Sequence, residues 1–469
     1  MLPKRLQLNL FRSSSSRQRP GSGPSTNETA DSLETRHSGE GRNPGNSTNW
    51  TPAFAGVTNS SALSFLDSGL RRNDDHGNSN FRSFARGRYA LCAAYELAGL
   101  KSGTTLLAPS YHCLTMLDPA IHLGADVQLY PLNPDLSPNI EQLDILFGEC
   151  TSPVKALVAT HFFGIRQDFT LLQRWCQQRN IVLIEDCSHT LFTEDCQAPG
   201  IGLFGSLVTA SPYKFYPCED GGLLHVSDPS CFNTTTETPT HSSPRRRPGS
   251  SSLDFLDSGL RRGDDFSMDQ HVPDTVAPSL SAELRVIKHT LEHHVAALMD
   301  APDDLDRQLS TLLQTPNTRA ATTRHEYKEP SNSFSPNLIN RSASRISRWL
   351  VRRTSPESIA EKRRSNYSRW LDATRNLPSS RPLYPLLPDD CVPYMFPLYI
   401  DHPEPHFDLL KRLGFPVWRW DEMAVSACRV AADYRLHLLH LPCHQSLTEA
   451  QMDWLVAAIQ RVLHVPTPE

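Results

Sequence analysis

The sequence predicts an α/β protein, a mostly parallel, doubly wound sheet with a smaller C-terminal α+β domain. Three observations lead there. Between residues 87 and 226, short apolar runs alternate with stretches of helical period. One run, "IVLIEDCSHT", ends in acidic residues, as strands do where such a sheet meets its ligands. Beyond about Leu383 the alternation gives way to a strand, "YMFPLYI", and a final helix, "TEAQMDWLVAAIQRVL".

Taken in order, "GRYALCAAYELAGL" has helical apolar spacing behind a glycine, and "TTLLAPS" and "DVQLYPL" are short buried strands around another helix. "VKALVATHFFG" is a strand, "DFTLLQRWCQQRN" an amphipathic helix, and "GSLVTAS" and "GGLLHVSD" are strands on either side of Lys214. Helical period returns from Ser279 to about Leu313, then in "SASRISRWLVRR" and "SPESIAEKRRSNYSRWLDATRNL".

Composition narrows the function. The 469 residues have room for two to three domains, but 37 prolines and 21% charged residues imply that part of the chain lies outside any core. A net charge of −5 offers no general attraction to nucleic acid or anionic membrane. No apolar run approaches the roughly 18 residues of a membrane span. The opening "MLPKRLQLNLFRSSSSR" is too short and broken in its apolar part for a signal peptide. Eleven scattered cysteines without CxxC pairs argue against a disulfide framework. A cytoplasmic protein is expected.

One repeat interrupts this pattern. "FLDSGLRR" occurs at Phe65–Arg72 and again at Phe255–Arg262, and "RQRPGS" (Arg17–Ser22) echoes "RRRPGS" (Arg245–Ser250). Two copies without a period between them do not make a solenoid. Both lie in Ser/Pro/Arg/Gly-rich sequence too polar to bury a core, and the phrases resemble translated bacterial intergenic repeat elements; the competing reading is a linear motif used twice. The expected organisation is residues 1–78 as a repeat-derived segment, 79–230 as the first part of the large domain and 231–268 as a repeat-derived insertion. Residues 269–365 complete the large domain with linking helices, and 366–469 form the small domain.

The chemistry lies at strand ends. Asp186 closes one strand, where a carboxylate can keep a pyridine nitrogen protonated. Lys214, at the end of another, can form an imine with an aldehyde. A helix starting at Gly87 offers backbone N–H groups to a phosphate. Together these are what pyridoxal phosphate requires, although singly a lysine is commonly a solvated cation and a strand-end aspartate a turn or cap.

The order of these motifs resembles the DegT/DnrJ/EryC1/StrS sugar aminotransferases, pyridoxal-phosphate enzymes of fold type I, from about Phe84 to Leu463. "GRYAL" matches the family's phosphate loop, "APSYHCLTMLDPAIHLGADVQLYPLNPDL" its strand–helix–strand, and "VKALVATHFFGIRQD" its His-x-x-Gly strand end. "IVLIEDCSHTLF", "ASPYKFYPCEDGGLLHVSD" and "LPCHQSLTEAQMDWL" match the aspartate strand, the lysine segment and the C-terminal signature. The resemblance implies that Lys214 bonds the cofactor and shuttles the proton, and that Asp186 pairs with the ring nitrogen. It places His189 at the ring's 3′-oxygen side, and Thr209 with the amides at Arg88 and Tyr89 on the phosphate. Asn340 would reach the phosphate of a neighbouring subunit, which implies a homodimer. Tyr111, His161 and His444 would lie toward the substrates, an amino donor such as glutamate and a nucleotide-linked keto sugar destined for a surface polysaccharide or glycoconjugate. The sequence departs from the family at Arg88 and Tyr89, where small residues are usual, and at Glu219-Asp220. It departs also at Cys113, where an aromatic stacks on the ring, leaving open which of Tyr111, His112 or Cys113 does so.

Other readings compete. "GIGLFG" (Gly200–Gly205) fits G-x-G-x-x-G but is followed by a strand, not the helix a dinucleotide site needs. His289, His293 and His294 lack a further ligand at metal spacing, so a solvated helix face is expected and no metal. Cys443-His444 is poor chelating geometry, and "RISRWLVRR" reads as a solvated face or as a contact for a substrate diphosphate. The alternatives in function are a pyridoxal-phosphate enzyme of another type, such as a dehydratase, and a non-catalytic relic. The family associates dehydration with histidine in place of the lysine, so Lys214 argues against the first.

Overall fold

In a computed structural model, residues 81–191, 202–227, 275–297, 304–314 and 329–466 are described; both repeat-bearing segments lie outside them. The larger sheet contains β1 (Phe81–Phe84), β2 (Thr105–Pro109), β3 (Asp126–Tyr130), β4 (Val154–Thr160), β5 (Val182–Cys187), β6 (Leu207–Ala210) and β7 (Gly222–Val226). Their order is β1-β7-β6-β5-β4-β2-β3. The run from β3 to β6 is parallel, and β7 and β1 close the far edge antiparallel. Helices α1 (Gly87–Leu97), α2 (Leu114–His122), α3 (Ile140–Glu149) and α4 (Thr170–Gln178) form the crossovers among these strands.

The strand sequences explain the layering. β2 and β6 are buried at every residue, as strands covered on both faces must be, whereas β3 at the edge alternates exposed and half-buried positions before Tyr130. Leu106, Ala108, Ala156, Val158 and Ile184 point to the face where α1 packs, with Ala90, Leu91 and Ala94. Leu107, Leu157, Ala159 and Leu183 point to the other, against Phe162, Phe163, Phe169 and Trp175. Helix α1 has no polar face: every residue from Gly87 to Tyr95 is buried.

Helices α5 (Leu280–Ala297), α6 (Leu305–Leu313), α7 (Arg345–Arg353) and α8 (Pro356–Thr374) lead to a second sheet of β8 (Ser380–Pro382), β9 (Met395–Ile400) and β10 (Leu438–Pro442). It is antiparallel, in the order β10-β9-β8. Also in this part are α9 (Pro403–Arg412), α10 (Arg429–His437) and α11 (Glu449–Leu463). Each of α7, α8 and α11 starts where its serine or threonine N-cap accepts a backbone N–H, and Pro356 occupies the first turn of α8. Trp370, Phe396, Leu398, Phe415, Leu441 and Ile459 share one core, and the Trp370 indole donates to the Pro442 carbonyl (2.8 Å). No helix among the described residues is long and apolar enough to cross a membrane.

Two stretches of this C-terminal part fold back onto the first sheet. Residues 418–424 reach the loop after β2, where Ala424 N donates to His112 Nε2 (3.3 Å) and His112 N donates to Met423 Sδ (3.4 Å). Gln445, just beyond β10, donates to the Phe215 carbonyl.

Candidate active site

Parallel register aligns the strand ends that build the site. Thr160 of β4 pairs with Asp186 of β5, and Asp186 with Thr209 of β6. After β6 the chain turns through a single 3₁₀ turn, Pro212–Lys214, which carries Lys214 back over this edge. Lys214, Asp186, His189, Gly87, Arg88 and Cys113 line one pocket. Ser188, Ser211, Tyr213, Thr160 and Trp420 share its wall.

Lys214 is only 6% exposed. Burial, aided by Arg88, pushes its ammonium below the ordinary lysine range, against the opposing pull of Asp186 and Cys113. Its Nζ lies 5.5 Å from the centroid of the Tyr394 ring. His189 stacks on that same ring at 4.6 Å, and its Nδ1 accepts from Phe163 N (3.4 Å). Burial, with the Lys214 charge, drives His189 well below the usual range, so the imidazole is neutral. Asp186 Oδ1 accepts from Ser188 N at 2.9 Å and lies 3.5 Å from Thr209 Oγ1.

At the start of α1, a Cβ added to Gly87 would sit 2.0 Å from Ser211 Oγ. The double glycine after the lysine has a similar cause. Gly221 takes φ +146°, and a Cβ on Gly222 would meet the Arg86 carbonyl at 2.3 Å, so β7 can pack directly on the entry to α1.

The other expected residues lie outside this lining. Thr209 turns toward Asp186 and does not line the pocket; the hydroxyl facing Gly87 is that of Ser211, because the 3₁₀ turn swings it there. The Tyr89 amide closes the first turn of α1 on Arg86 O (3.0 Å), and its ring packs on Phe334. Tyr111 is wholly buried, its hydroxyl 2.7 Å from His440 Nε2. His161 is equally buried between Glu185 Oε1 (2.9 Å) and the Gln167 amide (3.0 Å). Neither lines the pocket. His112 donates from Nδ1 to Pro109 O (3.0 Å), which turns it away from the pocket and leaves Cys113 there. His444 bonds Ser446 and is likewise outside the lining. Asn340 is exposed, next to Arg341, whose carbonyl accepts from Ala85 N just before α1.

Glu185 has no room for a metal. It accepts from Gly202 N (2.7 Å), Phe204 N (2.8 Å) and Gly205 N (2.9 Å) as well as His161. Burial raises its carboxyl, but these bonds outweigh burial and hold it below the usual range. The neighbouring His161–Glu185–Cys187 cluster is thus an internal hydrogen-bond network, and Gly202 and Gly205 of "GIGLFG" serve it. Among His289, His293 and His294, the described side chain is that of His289, half-buried on α5.

Sequence reasoning missed Ser211 and Trp420, which line the pocket. For Ser211 there was a signal: "TASPYK" puts two hydroxyls on one side of the strand, and the nearer to the lysine faces Gly87. Trp420 arrives from the C-terminal part through tertiary packing, which no local pattern announces.

Residues 74–293 match the model of the DegT/DnrJ/EryC1/StrS aminotransferase family. A dTDP-4-dehydro-2,3,6-trideoxy-D-glucose 4-aminotransferase from Saccharopolyspora spinosa is 27% identical over 150 residues, which is 30% of this chain and 37% of that protein. The match therefore spans little more than a third of the curated relative. Among solved structures, the aminotransferase TlmJ from Streptoalloteichus hindustanus superposes with a TM-score of 0.53 at 15% identity, covering 88% of this chain and 98% of the other. PseC from Helicobacter pylori, an aminotransferase involved in the biosynthesis of pseudoaminic acid, gives 0.54 at 12% identity with the same coverage. The architecture is the mostly parallel, doubly wound sheet that the alternation of strands and helices predicts, and it is consistent with the fold type I that the resemblance implies.

Proposed function

We propose that this chain, which carries a domain of the DegT/DnrJ/EryC1/StrS aminotransferase family, is a pyridoxal-phosphate-dependent aminotransferase. The carrying observation is one pocket that joins a buried lysine, a strand-end carboxylate and a helix start cleared of side chain at Gly87. The lining suits the cofactor's chemistry. Thr160 Oγ1 is a buried hydroxyl without a partner among the described residues, and the gap at Gly87 is one a Cβ would fill. Lys214 would bond the aldehyde, Asp186 would pair with the ring nitrogen, and His189 would lie beside the ring. The Gly87 and Arg88 amides with Ser211 and Ser188 would hold the phosphate.

When bound, the cofactor supplies an electron sink that stabilises negative charge at a substrate carbon. The chain's own residues do the rest. With its ammonium disfavoured by burial, Lys214 can take a proton at that carbon as a neutral amine and return it. Asp186, held by the Ser188 amide, would face the ring nitrogen. Trp420 and Tyr394, brought from the C-terminal part, exclude water from the lysine.

The amino donor would be an amino acid such as glutamate. By similarity to the Saccharopolyspora relative, the acceptor would be a nucleotide-linked keto sugar, for a surface polysaccharide or other glycoconjugate. A homodimer is part of this reading, with the exposed Asn340 beside the α1 entry offered to a partner's phosphate, and so is a cytoplasmic location.

The test is the visible spectrum of the purified protein with added pyridoxal phosphate, repeated for Lys214→Ala and after glutamate. A band that glutamate bleaches and the variant lacks supports the reading. A folded wild-type protein without a band refutes it.

A further inference from the structure

The guanidinium of Arg363, on α8, is wholly buried, and among the described residues no carboxylate lies within ion-pair distance. Burying a cation this way is costly unless every donor finds an acceptor. Here they do. Nη2 donates to the Lys214 carbonyl (2.8 Å), Nη1 to the carbonyls of Tyr394 (3.1 Å) and Pro393 (3.2 Å), and Nε to Gln445 Oε1 (2.6 Å). Its plane lies over the Phe215 ring at 4.4 Å, and Gln445 in turn donates to the Phe215 carbonyl.

The acceptors are not a random set. One, the Lys214 carbonyl, belongs to the lysine turn, and a second, Gln445, itself donates to the Phe215 carbonyl of that turn. A third is the carbonyl of Tyr394, whose ring lies beneath both Lys214 Nζ and His189. One side chain therefore fixes the backbone from which Lys214 projects and the ring on which its amine rests. A lysine in this position would lack the planar fork that reaches several acceptors at once.

We infer that Arg363 is a positioning residue for Lys214, setting where the amine sits in the pocket and hence how readily it bonds an aldehyde and exchanges protons. This rests on the functional reading above. Arg363 does not line the pocket, so its action passes through the backbone of Lys214 and Tyr394.

The test uses the full chain with Arg363→Lys and Arg363→Ala, following the pH midpoint of the cofactor's visible band and the dissociation constant for pyridoxal phosphate. The expected result is a shifted midpoint, at least tenfold weaker cofactor binding in both variants, and partial recovery of Arg363→Ala by added guanidinium ion. Should the alanine variant fail to fold, the lysine variant decides alone. A variant that loses only thermal stability, with midpoint and dissociation constant unchanged, overturns the inference. A wild-type chain that forms no band would sink the functional reading, and the inference with it; a wild-type band matched by the variants would sink the inference alone.

Discussion

The hydroxyl of Tyr111, in the loop after β2, lies 2.7 Å from Nε2 of His440 in β10, joining the two sheets by one buried bond. Burial drives His440 down to about 3, so the imidazole is neutral and can accept. His112, which holds the adjacent 418–424 stretch, is pushed down to about 4 by burial, against its bonds to the Pro109 and Ser110 carbonyls. Both start from 6.5 in the unfolded chain. Between those values and 6.5 the unfolded state holds more protons, so stability is full above that range and falls as pH drops through it. We expect a loss of about 1.4 kcal/mol per pH unit for each histidine. His440→Gln, which keeps an acceptor but does not titrate, should flatten the slope by about one proton, as measured by urea unfolding from pH 7 to 4.

Lys214 carries the opposite charge logic to a surface lysine. Its folded ammonium is disfavoured, so in the window below 10.5 the unfolded state binds more protons and cofactor-free stability rises with pH. Lys214→Met should make the cofactor-free protein more stable at neutral pH and flatten that rise, even as it abolishes the visible band. Thermal unfolding of the two proteins from pH 7 to 10 checks the sign.

Two glycines should respond differently to the same methyl group. A Cβ on Gly222 would meet the Arg86 carbonyl, which is backbone and cannot step aside. Gly222→Ala should cost about 2–4 kcal/mol of stability. At Gly87 the obstacle is the Ser211 hydroxyl, a small side chain that can rotate. Gly87→Ala should cost about 1 kcal/mol but weaken pyridoxal phosphate binding severalfold. Unfolding and cofactor titration of both variants separate the effects.

Trp420 gives a prediction with an unusual sign. Its indole packs 4.7 Å from the Tyr111 ring, yet its Nε1 is buried without an acceptor among the described residues. An unmet N–H costs about 1–3 kcal/mol, so Trp420→Phe should leave cofactor-free stability unchanged or raised. Trp420→Ala should lower it by about 3–5 kcal/mol. Unfolding midpoints of the three proteins in urea decide it.

Much of this site could be anticipated from sequence, and the physical reason is local. Asp186 and Lys214 sit at strand ends, and parallel strands bring their carboxyl ends to one edge whatever the packing elsewhere. Tyr111 and His161 lie outside the pocket lining for a related reason. Both are polar residues beside the site, but the partners that turn them inward, His440 and Glu185, lie on other strands. Arg363 shows the limit most clearly. In "EKRRSNY" it is one arginine of a basic run, and only the docking of α8 under the lysine turn separates it from exposed Lys362 and half-buried Arg364.

Glu185 closes the account of the glycine run. Three amide bonds, from Gly202, Phe204 and Gly205, converge on one carboxylate, the same courtesy that nucleotide-binding loops extend to a phosphate. Here the guest is part of the host. The loop that resembles a receptor for a foreign anion is permanently filled by the chain's own side chain, one residue before Asp186. A cradle so occupied works as a rivet: it ties the entry of β6 to the end of β5, and so holds the strand that leads into Lys214 at a fixed height above the aspartate.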